Sequence, residues 1–409
     1  MAARTNQFPW VALLVIAAAI FTSVTSEFLP TGLLPDIADE LKVSESRVGL
    51  LITLFAATVV VSTAPLSALT RRFSRKGLVI FVLLVFVASN VLAGVAPNYE
   101  ILAGARVLGG LAHGLFWATV GAYSAHLVPK KQLGRAVAIT SAGATAAFVF
   151  GVPLGTALGH AVGWRLAFIV IGGIVLGLVL LVVRYLPAVD RVKLTTGEIA
   201  LPARRDKTIP AVVLVCVVVL VLLTGHNLFS TYIAPWLIDV GSIAPDQVAA
   251  VLFLYGGAGA LGLFAAGLVS DRVPRLGFVV TVVVVAAAVT ILALGAGLPW
   301  LLLVGMGLWG GSFGALPSMM QSRLLQSASP RIRDLSSAFL TTSFNIGIGG
   351  GALIGALLLD RTDITVLPWV YLVMIGAGLL IAIVGDAIVR RRWGVPVITT
   401  SIDLPPTGH

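Results

Sequence analysis

Twelve apolar runs of about 20 residues restrict the fold of this sequence more than any other feature. A helix that rises about 1.5 Å per residue needs roughly 20 apolar residues to cross ~30 Å of hydrocarbon. The runs of the first half are residues 10–34, 48–69, 77–95, 101–122, 136–158 and 166–183, and those of the second are 211–234, 248–269, 276–294, 300–320, 335–359 and 366–389. They predict an all-α polytopic membrane protein with twelve transmembrane helices.

The composition argues against a soluble protein and against nucleic-acid binding. Hydrophobic residues make up 58% of the 409 residues and charged residues only 11%, whereas soluble domains have about 25% charged residues. The net charge is +10, but the basic residues are scattered between apolar runs and do not form the continuous patch that phosphate groups require. A lipid bilayer is therefore the predicted environment, and no nucleic-acid partner is expected.

The distribution of basic residues predicts the orientation in the membrane, because loops rich in Lys and Arg remain in the cytoplasm. Lys42, Arg47, Arg165 and Arg361 lie in one set of loops, and Arg106 lies within the fourth run. The other 22 of the 27 basic residues lie in the opposite set or in the terminal segments. We therefore expect a multi-pass protein of the cytoplasmic membrane with both termini in the cytoplasm.

A constant shift of 200 residues relates the two halves of the sequence. The superimposed pairs include Pro35 and Pro235, Asp39 and Asp239, Arg72 and Arg272, Gly110 and Gly310, and Gly151 and Gly351. Internal repeats of this kind are common in transporters, where the substrate binds between the repeats. The sequence predicts two pseudo-symmetric six-helix bundles at residues 1–183 and 209–392, a cytoplasmic linker at 184–208 and a cytoplasmic tail at 393–409.

Several motifs carry a resemblance to a known family. The loop at 267–275 reads GLVSDRVPR, with Gly267, Asp271 and Arg272 in the order of the loop signature of the major facilitator superfamily. The corresponding first loop, at 67–76, departs from that signature because Ser67, Arg71 and Ser74 occupy the two glycine positions and the aspartate position. Both loops could instead serve only to set the topology.

Motifs within the helices narrow the resemblance. These motifs are SEF at 26–28, GLLPD at 32–36, RVLGGLAHG at 106–114 and GVPLG at 151–155. Together they resemble the drug:proton antiporter group of the superfamily, and most closely its arabinose-efflux-like branch, which includes sugar, purine-nucleoside and chloramphenicol exporters. The resemblance implies a monomeric bacterial transporter that exchanges a small molecule for protons.

Glu27 and Arg106 are charged residues within apolar runs, where each charge would cost about 2.5–3.5 kcal/mol at the bilayer centre. Helical spacing puts Arg106, His113 and Trp117 on one face, so we expect Glu27 and Arg106 to approach each other in the bundle interior. Glu27 could carry protons, form a structural ion pair with Arg106, or stay hydrated near the outer surface. His113 could relay protons or pack as a neutral residue.

Aromatic and amide side chains on several helices are candidates for a mixed substrate cavity. They are Phe116, Trp117, Asn227, Tyr232, Tyr255, Trp309, Phe313 and Asn345. Asn227 takes the position of Glu27 under the shift of 200. That difference predicts coupling chemistry in the first half and neutral substrate contacts in the second. The tryptophans at helix ends, Trp10, Trp236, Trp300 and Trp369, are expected to be anchors at the membrane interface.

A second group of residues is predicted to serve gating. Gly151, Pro153 and Gly155 allow close helix approach and a kink, and in relatives this segment resembles a hinge or a seal against proton leak; tight packing alone is the alternative. At the cytoplasmic loops we predict two charge pairs that would latch one state closed. These pairs are Asp271 with Arg135 and Arg71 with Asp334, and Arg272 belongs to the same loop signature.

The leading expectation is a proton-coupled exporter of small, partly hydrophobic compounds or drugs, working by alternating access. A sugar or nucleoside exporter of the same fold is the alternative within transport, and a non-transport intramembrane protein is the alternative outside it. No nucleotide-binding loop, metal-ligand spacing or Ser/His/Asp grouping occurs in the sequence. We therefore expect neither an enzyme nor a bound cofactor.

Overall fold

The computed structural model describes residues 8–70, 73–128, 132–187, 206–269, 274–295, 297–329 and 332–393. Its α-helices are α1 Trp10–Gly32, α2 Leu34–Leu41, α3 Glu45–Leu69, α4 Arg75–Gly94, α5 Tyr99–Leu127, α6 Leu133–Ala146, α7 Val152–Val162, α8 Trp164–Tyr185, α9 Ile209–Ser230, α10 Ile233–Asp239, α11 Val248–Val269, α12 Pro274–Gly295, α13 Pro299–Ser327, α14 Arg333–Leu359 and α15 Leu367–Trp393. Within the described part of the chain there are 12 segments long and apolar enough to cross a membrane, and no β-strand. The prediction of an all-α protein with twelve spans is confirmed.

The helix boundaries follow the shift of 200 closely. Helix α5 begins at Tyr99 and ends at Leu127, and α13 begins at Pro299 and ends at Ser327. Most helix packing takes place inside one half of the sequence, such as α4 against α8 and α11 against α13. The predicted linker and tail fall largely on residues 188–205 and 394–409, which lie outside the described residues. Their assignment remains a prediction.

The fifth membrane span is not a continuous α-helix. A π-helical segment, Ala147–Gly151, separates α6 from α7, and Pro153 is the second residue of α7. Proline has no N–H to continue the helical ladder, and a π segment is a common form of local distortion in a helix. Gly151 also lies so close to α1 that an added Cβ would be 1.9 Å from Thr25 Oγ1. Close packing is thus observed at this segment, whereas its role as a hinge remains a proposal.

The two halves meet at the end predicted to face outside. Thr53 Oγ1 in α3 donates a hydrogen bond of 2.9 Å to the carbonyl oxygen of Gly349 in α14. Farther out, the Ser46 hydroxyl donates to the Asp360 carboxylate. These contacts lie in the first half of α3 and at the far end of α14, so the two helices close the bundle at that end.

Tyr232 is part of this closure. Its side chain is fully buried, and its hydroxyl donates a hydrogen bond of 2.9 Å to the carbonyl of Ala352. The ring lies against α3, where a Cβ added to Gly49 would be 2.0 Å from the Tyr232 hydroxyl oxygen. In this structure the Tyr232 ring fills the contact between the halves, and its role in lining a substrate cavity stays a prediction.

At the opposite, predicted cytoplasmic end, the same helices expose large apolar side chains. Their exposed fractions range from 44% to 74%, at Val61 and Leu69 in α3, Leu261 and Phe264 in α11, and Leu335 and Phe339 in α14. Thr341 and Thr342 are exposed on α14 as well. In this structure α3 and α14 thus contact each other at the predicted outer end, whereas α3, α11 and α14 expose apolar side chains at the predicted cytoplasmic end.

Candidate functional site

The structure brings the three predicted proton-coupling residues together in the interior of the first half. Glu27 lies on α1, and Arg106 and His113 lie on α5. Their exposed fractions are 4%, 3% and 5%, respectively. Charged side chains at membrane depth are tolerated where they face the bundle interior and bind one another or backbone carbonyls. The helical spacing predicted that Arg106 and His113 share one face of α5, and in the structure this face contacts Glu27 on α1.

His113 connects the Glu27 carboxylate to the rest of the cluster. Its Nε2 atom lies 3.5 Å from Glu27 Oε2, and its Nδ1 atom shares a hydrogen bond of 3.0 Å with the hydroxyl of Ser23. The imidazole packs edge-on against Phe55 and Phe86, with ring centroids 5.3 and 6.3 Å apart. Both ring nitrogens thus face polar groups, while aromatic rings surround the remainder of the imidazole.

Arg106 binds the main chain of α1 and makes no direct hydrogen bond to the Glu27 carboxylate. Its Nη1 atom donates to the carbonyl of Ser26 at 2.9 Å and its Nη2 atom to the carbonyl of Glu27 at 2.7 Å. The guanidinium carbon lies 4.3 Å from the centroid of the Phe55 ring. Since residue 30 is proline, it cannot supply the helical N–H that the Ser26 carbonyl would otherwise accept. Arg106 supplies that missing donor.

This geometry separates the three interpretations of Glu27. Its burial does not fit a hydrated position near the outer surface. Arg106 is engaged by two backbone carbonyls, so the contact that Glu27 makes through its carboxylate is with His113. Such a carboxylate has a neighbour to which a proton can pass, which favours the interpretation as a proton carrier over that as a purely structural ion pair.

The sequence analysis missed Asn90, which supports the cluster from α4. The Ser26 hydroxyl donates to Asn90 Oδ1 at 2.8 Å, and Asn90 Nδ2 donates to the carbonyl of Phe86 at 2.9 Å. Asn90 is 1% exposed. A polar amide inside the third apolar run was the available signal, because a buried polar side chain needs hydrogen-bond partners.

The second half contains a cluster of aromatic rings where the first half contains charges. We call it the aromatic cluster, and it consists of His226, Phe229, Tyr255, Trp309, Phe313 and Tyr371. The predicted cavity residues Tyr255, Trp309 and Phe313 are thus brought together, with the Tyr255 and Trp309 centroids 5.0 Å apart. His226, Phe229 and Tyr371 were missed, since the shift of 200 relates them to residues that carried no prediction.

The other predicted cavity residues occupy different environments. Phe116 is fully buried in the core of the first half, with its ring centroid 6.2 Å from that of Phe86, and its role as a cavity residue stays a prediction. Trp117 is 37% exposed and lies 6.1 Å from His113. Asn227 and Asn345 each donate to the carbonyl four residues earlier in their own helix.

Most residues of the two predicted cytoplasmic charge pairs lie outside the part of the chain that the structure describes. Arg71, Asp271 and Arg272 lie outside the described residues, as does the side chain of Asp334. The Arg135 guanidinium carbon lies 4.6 Å from the ring centroids of both Phe8 and Trp10. Both cytoplasmic charge pairs therefore remain predictions.

Of the four predicted interface tryptophans, Trp236 was predicted wrongly. It is 1% exposed, since its ring packs against Phe229 with centroids 5.3 Å apart. Trp10, Trp300 and Trp369 are between 45% and 63% exposed, as tryptophans at a membrane interface would be. A position near a helix end therefore does not by itself identify an interface residue.

Twelve spans in two repeated bundles, with polar and ionisable side chains buried between helices, form the architecture of a secondary transporter. The model of the Major Facilitator Superfamily matches residues 16–241 and 214–392, and this chain belongs to that family. It is therefore a membrane transporter of the major facilitator type.

Curated relatives cover most of the chain. One from Mannheimia succiniciproducens, described as a probable sugar efflux transporter, is 33% identical over 86% of this chain and 87% of its own length. One from Helicobacter pylori with the same description is 30% identical over 87% of this chain and 90% of its own. Both are thus similar to this chain over nearly the whole fold.

Solved structures with much lower identity share the fold. A nucleoside transporter has a TM-score of 0.76 and 14% identity, covering 92% of this chain and 99% of its own. A bacterial homologue of the human lysosomal transporter Spinster, in an inward-facing and unoccupied conformation, has a TM-score of 0.69 and 15% identity, covering 95% and 98%. At these identities the likeness extends to the fold alone.

Proposed function

We propose that this protein exports a small organic solute in exchange for protons by alternating access between the two halves. The observation that carries the proposal is the buried Glu27 carboxylate, 3.5 Å from His113 Nε2. Removal from water disfavours a charged carboxylate, so such a group takes up a proton readily when a pathway to solvent opens. Charge changes at this position would then alter the preference between outward-open and inward-open states.

The proton-binding unit in this proposal consists of four residues with separate tasks. Glu27 takes up and releases the transported proton. His113 provides the neighbouring nitrogen through which the proton can pass, while Ser23 holds the other ring nitrogen at 3.0 Å. Arg106 is a positioning residue that fixes the backbone beneath Glu27 and keeps a positive charge near it.

For the substrate we propose sugars first and hydrophobic drugs second. The two relatives described as probable sugar efflux transporters support the first choice, because they resemble this chain at 30–33% identity over most of its length. The exposed aromatic side chains on several helices are the observation that favours the second. We further propose that both termini lie in the cytoplasm, on the basis of the basic loops.

The test is solute-dependent proton flux in proteoliposomes. We expect the unaltered protein to move protons when a sugar is supplied across a pH gradient, and Glu27→Gln to lose this flux while retaining sugar exchange without a gradient. Glu100→Gln is the matched control, because that side chain is 70% exposed and makes only a 3.8 Å contact with Arg47.

Three outcomes are decisive. Loss of proton flux in Glu27→Gln alone supports the assignment. Unchanged coupling in this variant would eliminate Glu27 as the proton carrier. If the unaltered protein shows no proton movement with any sugar, nucleoside or drug, the proposal of antiport fails as a whole.

A further inference from the structure

The aromatic cluster contains a histidine without a hydrogen-bond partner. His226 lies on α9 and is 7% exposed. Its buried Nδ1 atom has no hydrogen-bond partner, and no hydrogen bond joins the ring to any other residue that the structure describes. A buried polar nitrogen without a hydrogen-bond partner is energetically unfavourable. Taken together with the rings around it, the unpaired nitrogen leaves His226 able to bind a polar group of a ligand.

The surroundings of His226 are rings with broad apolar faces. The imidazole stacks on Phe313, with centroids 3.3 Å apart and an angle of 6° between the planes. Trp309 lies 5.3 Å away and Tyr371 6.1 Å away, measured between centroids. Phe313 is more exposed than His226, so it covers the imidazole from the accessible side. Movement of the Phe313 ring would uncover both the imidazole face and its nitrogens.

The corresponding region of the first half carries ionisable side chains, whereas the aromatic cluster does not contain a carboxylate. Under the shift of 200, His226 corresponds to Ser26 and Phe313 to His113. The ionisable network of the first half thus has an uncharged counterpart of aromatic rings and one imidazole. The aromatic cluster contains no carboxylate to bind a cation. A neutral molecule with an apolar face and hydroxyl groups would match its apolar ring faces and its imidazole nitrogens.

We propose that His226 is a substrate-binding residue and that the aromatic cluster takes a neutral hydroxylated ring, such as a pyranose. The C–H face of the ring packs on the aromatic side chains, and a hydroxyl group binds the imidazole. A neutral imidazole offers one donor and one acceptor, and a hydroxyl group pairs with either. This inference rests on the proposed function and narrows its substrate class.

Binding of glucose, galactose and arabinose to the purified full-length protein tests the inference by calorimetry. We expect His226→Phe, which keeps an aromatic ring but removes the nitrogens, to bind the preferred sugar about tenfold more weakly, as one lost hydrogen bond predicts. His226→Asn should recover part of the affinity. The matched control is His160→Phe, because His160 also has an unpaired buried Nδ1 atom but contacts Asp36 on the far side of α7.

The outcomes distinguish this inference from the proposed function. Weaker binding in His226→Phe, with partial recovery in His226→Asn and none of the loss in His160→Phe, supports it. Unchanged affinity in His226→Phe overturns the role of His226 while leaving sugar export intact. If the unaltered protein binds none of the three sugars but moves protons with a cationic drug, the sugar class fails while proton coupling stands.

A second measurement needs no substitution and remains decisive if the variants are unstable. Diethylpyrocarbonate modifies accessible histidine nitrogens, and mass spectrometry locates the modified residue. We expect saturating sugar to reduce the modification of His226 at least fivefold and to leave His160 unchanged. Equal modification of His226 with and without sugar would contradict the inference.

Discussion

At the scale of single residues, the contact between Arg106 and α1 joins two features that look unrelated in the sequence. Pro30 removes one helical donor, and Arg106 Nη1 donates to the Ser26 carbonyl that this leaves free. The arginine thus completes the hydrogen bonding of a helix to which it does not belong. Lysine cannot reproduce this contact, because it lacks the planar guanidinium that donates to two carbonyls at once.

This contact predicts that Pro30 and Arg106 are coupled energetically. Arg106→Lys should lower the thermal unfolding midpoint in the unaltered protein, and the loss should be smaller in a Pro30→Ala background, where residue 30 can donate to Ser26 itself. We expect a coupling energy of about 1 kcal/mol or more. Thermal unfolding of the four proteins in detergent measures it.

Pro65→Ala provides the control for that cycle. Pro65 also lies inside a membrane-spanning helix, α3, but ten residues beyond Phe55, whose ring Arg106 contacts. The effect of Arg106→Lys should be the same with and without this second substitution. Equal losses in the Pro30→Ala background would show that the arginine does not replace the missing donor.

The sequence allowed the members of the charged cluster to be predicted but not their contacts. Helical spacing placed Arg106 and His113 on one face, and the cost of burial directed Glu27 towards the same interior. Spacing alone cannot show that the guanidinium binds carbonyls while the imidazole approaches the carboxylate. His226 went unnoticed because its counterpart under the shift, Ser26, was noted only as part of the SEF motif and was assigned no contact.

At the scale of helices, α11 of the second half approaches the π segment of the first half closely. A Cβ added to Gly256 would lie 2.2 Å from the carbonyl oxygen of Phe148 and 2.8 Å from Cα of Val149. Backbone atoms cannot rotate away as a side chain can. Only glycine therefore permits this helix spacing.

Gly256→Ala should lower stability by about 1–3 kcal/mol, because the added methyl group forces the two helices apart. The adjacent residue is a matched control, since a Cβ on Gly257 would meet no atom within 4 Å. Gly257→Ala should be neutral or stabilise α11 by up to ~1 kcal/mol through its higher helix propensity. Thermal unfolding of the two variants would refute the contact if both behaved alike.

Most helix positions could be predicted because apolar run length and the shift of 200 agree with each other. Breaks inside the spans were harder to predict. The first run, 10–34, contains the end of α1 at Gly32 and the start of α2 at Leu34. In the fifth run, Pro153 indicated a distortion, but the π form depends on hydrogen-bond shifts that the residue pattern does not encode.

At the scale of the whole molecule, closure at the outer end must break for the substrate to leave. Ala56 and Gly349 are suitable reporters, because a Cβ added to Gly349 would lie 3.0 Å from the Ala56 Cβ. Disulfides need a Cβ separation of about 3.5–4.5 Å, which a small relaxation provides. The native Cys216 would be replaced by serine to leave only the introduced pair.

We expect Ala56→Cys combined with Gly349→Cys to form a disulfide that abolishes transport, and reduction to restore it. Each single cysteine variant should transport normally under oxidising conditions and thus serves as control. Sugar uptake into inverted membrane vesicles measures the effect. Full activity of the cross-linked protein would show that the α3–α14 contact does not open during transport.

The global architecture was the most predictable level, since the number of spans and the repeat depend on composition and regular spacing. Which end is closed was not predictable, because two alternating states share one sequence. Tyr232 illustrates the difference. The sequence identified it as an aromatic residue near the end of the seventh apolar run, but only the packing on Gly49 shows that it belongs to the closure.

The hydrogen bonds from Arg106 to the backbone of α1 have an electrostatic consequence for the charge of the solute that the protein can exchange. In the proposed antiport, a guanidinium held by two carbonyls contributes a constant positive charge, so the cluster of Glu27, His113 and Arg106 is neutral without the transported proton and carries one positive charge with it. That total is the same whichever of Glu27 and His113 holds the proton. A cationic solute would be repelled by the loaded cluster, whereas an uncharged solute would not. Exchange of an uncharged solute therefore depends on the change of conformation and not on competition for one charge.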